Sequence, residues 1–381
     1  MSLSSIEKKF NGIWCRALAH GPLNELTPEL IEKWATEKKL TNPVAEVANV
    51  GAFHTTPCIV LTLEEGKACF PTIPDSGDEN WQIRRKKYED QALLWDKVEW
   101  FLPLWVPMGK ISDLLVSVQN VTRSRALDLF RYHTSTLYTL PFQAVCIEQI
   151  LPLAKSLKDI VPLAREAYLG AYSGYWSTSV GTLIPAIEGS LTRIVSDLGA
   201  KSTTTEKIDH AIDKAIETAA QIHFDRMWVP AEYKTSTYLF GQDERVYAFE
   251  TFRMWLKNHF FCNTEDYRGE TWLNRHMFAH GTVASWQRSG NFARMIVALA
   301  TLAAVESWYE SSHSRPILWP PLQTGFFCSW DYSTCWTCFG LAATKSMINL
   351  ANTGLAYYWS EMEVICEQFE VFCVHKWNCT A

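Results

Sequence analysis

The sequence predicts a mainly α-helical protein: a helical bundle with a small α+β N-terminal region before it and a helical, Cys- and Trp-rich C-terminal tail after it. Three observations predict this. Apolar residues recur with a 3.6-residue period through most of the chain after residue 111. The one β-hairpin signature stands earlier, near residues 58–72. With 381 residues, 48% of them apolar, there is also enough material to fill the cores of two or three domains.

Residues 1–110 mix short helical stretches with turn chemistry. Cys58 to Leu63, the turn residues Glu64-Glu65-Gly66-Lys67, and Ala68 to Thr72 read as the two arms and the bend of the hairpin. A polar loop from Asp75 to Glu79 follows, then the run Arg84-Arg85-Lys86-Lys87. That run reads first as a solvated helix face, and alternatively as a contact for an RNA backbone. Residues 111–164 read as a helical connector.

The bundle is expected over residues 165–312. Leu183, Ile184, Ile187, Leu191, Ile194, Val195 and Leu198 form one apolar stripe. Thr203 and Glu206 have capping-box spacing ahead of Ile208, Ile212, Ala215, Ile216 and Ala219. A third helix is expected over Val246 to Phe260. A fourth opens near Asn291, read as its cap, and runs to Trp308. Four helices with one apolar face each must bury those faces together. Pro316, Pro320 and Pro321 then mark a break. The tail, 313–381, is expected to hold helices near Leu341 to Ala351 and Ala356 to Phe372.

The formal net charge of −6 excludes general attraction to a polyanion, so nucleic-acid contact must rest on a local basic patch. An enzyme that cuts an exposed RNA loop remains compatible with it. Eleven scattered cysteines imply a reducing compartment, and the chain is expected to be cytoplasmic. Met1 to Phe10 lacks the apolar core of a signal peptide, and the longest apolar run, Met295 to Val305, falls short of the ~20 residues a span needs. No membrane partner is expected. The phosphate-cradling glycine loops of nucleotide enzymes and the Gly-x-Ser-x-Gly elbow are also missing.

Between the third and fourth expected helices stands Thr271-Trp272-Leu273-Asn274-Arg275-His276-Met277-Phe278-Ala279-His280-Gly281. Cleaving RNA without a metal needs a group to take the 2′-OH proton, a group to protonate the leaving 5′-oxygen, and a fixed cation for the phosphate. His280 suits proton transfer because imidazole titrates near neutrality, and Arg275 presents a planar charged fork. On a regular helix positions five apart point about 140° away from each other, so the Arg stem or a helix boundary must close the gap. Glu188 lies at the edge of its buried stripe, where a carboxylate needs a partner. It orients Arg275 or a histidine, or it makes a purely structural ion pair. The bland reading of the whole string is likewise a structural polar cluster.

Two metal readings compete. His276 and His280 are four apart and share a helix face, as in zinc hydrolases, but Met277 stands where those enzymes carry Glu. In the tail, Cys335 and Cys338 with Cys373, His375 and Cys379 form a zinc-knuckle-like set; the seven-residue spacing of Cys366 and Cys373 instead suits buried helix positions. The expected site holds no metal and no cofactor.

The string Leu273-Asn274-Arg275-His276 with His280-Gly281, at the last helix junction of a bundle, resembles the HEPN superfamily, in the version found in uncharacterised bacterial HEPN-like proteins. The resemblance covers about 150 residues and is specific only in the motif. It implies a four-helix core and a homodimeric, metal-independent endoribonuclease, often a toxin or phage-defence effector. It makes Arg275 the phosphate clamp, His276 the intervening polar residue and His280 the catalytic histidine, with Asn274 as support. Glu188 and Arg193 match the family's acidic-then-basic pair on an earlier helix, with a spacing one residue longer than the common form. The implied partners are RNA rather than DNA, a second copy, and an inhibitor or activator. A non-catalytic helical interaction or RNA-binding module is the competing expectation.

Overall fold

Capping chemistry written in the sequence opens several helices of the computed structural model, which describes residues 4–103, 108–199, 201–281 and 286–310. Helices α1 (Ser5–His20) and α2 (Pro28–Glu37) start at the side-chain caps Ser4 and Thr27. Three strands follow, β1 (Val44–Val50), β2 (Thr56–Leu63) and β3 (Gly66–Pro71). Asp78 then caps α3 (Glu79–Lys97). Next come α4 (Met108–Gln119), α5 (Arg123–Leu137), α6 (Leu140–Val145), α7 (Val161–Tyr172), α8 (Trp176–Ile194) and α9 (Thr204–His223). The last four are α10 (Ser236–Leu239), α11 (Glu244–Trp255), α12 (Arg275–His280) and α13 (Ser289–Tyr309). A π-helical turn, Leu256–Phe260, continues α11. The protein is thus mainly helical, with a small three-stranded antiparallel sheet near the N-terminus.

The expected hairpin is β2 and β3, paired from Cys58 opposite Pro71 to Leu63 opposite Gly66. Strand β1 is an addition to the expectation. Its Ala, Glu and Asn are weak strand formers, and it takes its conformation from pairing with β2, Glu46 facing Val60. The far edge of β3 is closed by Trp228, whose carbonyl accepts from Cys69 N at 2.7 Å. The Thr203–Glu206 capping box forms, with Glu206 N donating to Thr203 Oγ1 at 3.3 Å and Thr203 N to Glu206 Oε2 at 2.7 Å.

The chain divides into two units, one of residues up to 102 with 209–255, the other of the described residues among 103–208 and 256–381. The expected 165–312 segment is therefore shared between them. The reason lies in the aromatic residues of α11. Tyr247 stacks on Tyr88 of α3 at 4.6 Å and accepts from Trp95 Nε1 at 2.9 Å, and Phe252 meets Phe101 at 4.8 Å. This face is committed to the N-terminal region's aromatic core.

In the second unit α13 is the central helix, buried on every side from Asn291 to Trp308. Among the described residues it is the one helix long and apolar enough to cross a membrane, and 94% of its apolar window is buried inside the protein. It packs on α8, which packs in turn on α7. Helix α8 starts at Trp176, seven residues before the expected Leu183, because Pro185 is accommodated inside it, and it ends at Ile194. The expected tail helices and the Cys335/Cys338 zinc set lie outside the described residues.

Candidate active site

The motif segment is built by two buried asparagines. Asn274, 0% exposed, donates from Nδ2 to the carbonyls of His259 and Cys262, each at 2.8 Å. Its Oδ1 accepts from Met277 N at 3.0 Å and so caps α12. Two residues before Asn274, Trp272 has φ +60°, a backbone state that costs of order 1–3 kcal/mol for a bulky residue. The bonds of Asn274 hold that turn in place.

Asn291 is expected to cap α13, and this is corrected: the helix starts at Ser289, and Asn291 lies in its first turn. Its Nδ2 donates to the carbonyls of Thr271 at 2.9 Å and Trp286 at 2.8 Å, while its Oδ1 accepts from Arg294 Nη1. The side chain that would have capped the helix instead ties the entry and exit of α12 to α13. No local pattern reports such a partner.

Helix α12 is short and regular, with Arg275 at its first position and His280 at its last. Gly281 closes it in the left-handed region at φ +61°, accepting a conformation that an L side chain resists. Arg275 is brought together with Glu188 of α8 as a bidentate pair, Nε to Oε2 at 2.9 Å and Nη2 to Oε1 at 3.1 Å. Both side chains are about one-third exposed, 32% and 35%. This engages one edge of the guanidinium and leaves Nη1 outside the pair.

His276 is half-buried next to Arg275, and its pKa is lowered from the ordinary imidazole value. Burial is the largest cause, followed by the positive charges of Arg275 and His280, with Glu188 opposing. The neutral imidazole is favoured there. His280 is exposed at the last position of the helix. Phe278 faces α8 instead: it meets Trp286 edge-on at 5.0 Å, and a Cβ on Gly181 would lie 3.2 Å from its ring. The absence of a side chain at Gly181 lets α12 lie close to α8.

Arg193 is not drawn to this cluster. Its Nε donates to the Ser156 carbonyl at 2.7 Å and its Nη2 to Ser190 Oγ at 3.3 Å. The five-residue step from Glu188 turns it about 140° round α8, away from Arg275. Among the described residues no group of three or more His, Cys, Asp or Glu side chains is placed to hold a metal ion.

The basic run of α3 belongs to the first unit and is spent locally. Arg85 pairs with Glu89 at 2.8 Å, Lys86 pairs with Asp90, and Arg84 donates to Gly241 O at 3.2 Å and Gln242 Oε1 at 2.9 Å. Sequence reasoning placed Arg275, Glu188, His276 and His280 in one proposal, misassigned Asn291, gave Phe278 no role, and overlooked Trp286 and Gly181. For the last of these, a glycine inside an apolar helical stripe was a usable signal. Comparison of the chain with protein-family models, curated proteins and solved structures finds no match.

Proposed function

We propose that the chain is a metal-independent endoribonuclease of HEPN type, working as a homodimer on an RNA phosphodiester, in the setting of a toxin or phage-defence effector. The observation that carries the reading is the cluster on α12. A guanidinium is fixed by a bidentate carboxylate, with a half-buried neutral-leaning imidazole beside it and an exposed imidazole one turn further on. In this reading the 2′-oxygen attacks phosphorus as its proton passes to His276, the bond to the 5′-oxygen breaks, and His280 in its protonated form donates to that leaving oxygen. Arg275 steadies the phosphorane through Nη1. A 2′,3′-cyclic phosphate and a 5′-hydroxyl result, and the second copy contributes an equivalent set.

The competing reading, a non-catalytic interaction or RNA-binding module, is favoured by one observation: the same bidentate pair would serve equally as a structural tie between α8 and α12. Incubation with total RNA decides between them. Cleavage is expected to persist with a chelator and to fall by about 100-fold or more in Arg275→Ala and His280→Ala. Wild type and variants equally inert on every RNA offered would favour the module.

A further inference from the structure

The net charge of −6 leaves open which surface of this protein could meet a polyanion, since two of the four cations in the basic run of α3, Arg85 and Lys86, are already paired with carboxylates of the same helix. A different basic surface adjoins α12. The contact of Phe278 with Trp286 joins the end of α12 to the start of α13, with His280 two residues beyond one ring and Arg288 two residues beyond the other. Arg288 is exposed, caps α13 through its backbone without a side-chain cap bond, and among the described residues pairs with no carboxylate. Arg131 of α5 reaches the same place. Its Cγ lies 3.6 Å from where a Cβ on Gly290 would be, so its stem runs along the first turn of α13.

We infer that Arg131 and Arg288 form a phosphate-binding track that leads a single RNA strand to His280. The inference rests on the endoribonuclease reading for its ligand and concerns binding alone. Two guanidiniums at the start of α13, which the Phe278–Trp286 contact joins to α12, supply the local positive field that the chain as a whole lacks. Among the described residues the carboxylate in contact with them is Asp128, paired with Arg131 at 3.0 Å with both side chains more than half exposed. An exposed pair of that kind is weak and screened, so a phosphate readily displaces it.

The test uses the full chain and a fluorescent 2′-O-methyl RNA of mixed, unstructured sequence, which cannot be cut through its 2′-oxygen. Affinity is measured over a range of sodium chloride concentrations. Wild type is expected to bind with a salt-dependent affinity. In Arg131→Gln/Arg288→Gln the slope of log affinity against log salt should fall by about 1.4, from roughly 0.7 per phosphate contact on a single strand. The weakening should be similar for every sequence. Arg131→Lys/Arg288→Lys should restore most of the slope, which separates lost charge from lost fold, and Asp128→Asn should tighten binding. A glutamine double variant that matches wild type in slope and affinity, or a wild type that fails to bind at low salt, overturns the track. Cleavage of the corresponding all-ribose RNA is scored separately, so that binding without cutting would sink the endoribonuclease reading and leave the track standing.

Discussion

His276 is where the electrostatics of α12 can be read most directly. Burial and the charges of Arg275 and His280 depress its pKa, and Glu188 partly offsets them. Glu188→Gln is therefore expected to lower the His276 pKa further, and Arg275→Gln to raise it, each followed by NMR titration of the imidazole. If His276 accepts the 2′-OH proton, the acid limb of the cleavage profile should lie below pH ~6.5, the ordinary imidazole midpoint. An unmoved His276 in both variants would show that these side chains do not share one local field. Glu188 was legible as a carboxylate at the edge of an apolar stripe, because burial demands a partner. Asn291 was misread because an Asn ahead of an apolar run has two uses, and the carbonyls that claim it belong to residues 271 and 286.

At the scale of elements, the geometry of α12 depends on how that helix is started and stopped. Asn274 starts it and Gly281 stops it, the latter with φ +61°. Gly281→Ala forces a side chain into the left-handed region with no steric neighbour among the described residues, and is expected to cost about 1–2 kcal/mol in urea unfolding. The Thr203–Glu206 box, the hairpin and the α13 core helix were all legible, since caps, turns and apolar periodicity are local. Strand β1 was not. Its three valines are interrupted by Ala, Glu and Asn, which are weak strand formers, and pairing with the edge of β2 settles it as a strand.

On the scale of the whole molecule, the first unit contains a buried ionic cluster that the proposed chemistry does not use. Asp243 accepts from Arg245 Nε at 2.8 Å and faces His223 Nδ1 at 3.1 Å, all three side chains nearly or fully buried. Burial alone would raise the Asp243 pKa, but the hydrogen bonds and charges of Arg245 and His223 outweigh it and bring it down to about 2. A depressed carboxyl pKa contributes stability that is complete above the unfolded value near 3.8 and is lost as pH falls through about 2. That contribution is about 2 kcal/mol. Urea titrations of wild type between pH 5 and pH ~2 should show the loss. Asp243→Asn should be less stable throughout and should lack this part of the acid dependence, because it leaves Arg245 buried without its counter-charge. An acid limb identical in both proteins would assign the loss to other carboxylates.

Alone, the sequence determined the helical character, the hairpin, the Thr203–Glu206 capping box, and the short string in which Arg275, His276 and His280 stand together, because each depends on neighbours within a few positions along the chain. Tertiary structure decided how the helices are shared between two units, that Glu188 rather than Arg193 turns toward Arg275, and that Asn291 anchors the turns around α12. Those outcomes depend on which aromatic face, carbonyl or charge arrives from far along the chain. The free energy of burying and satisfying such groups outweighs the local preferences that a sequence displays.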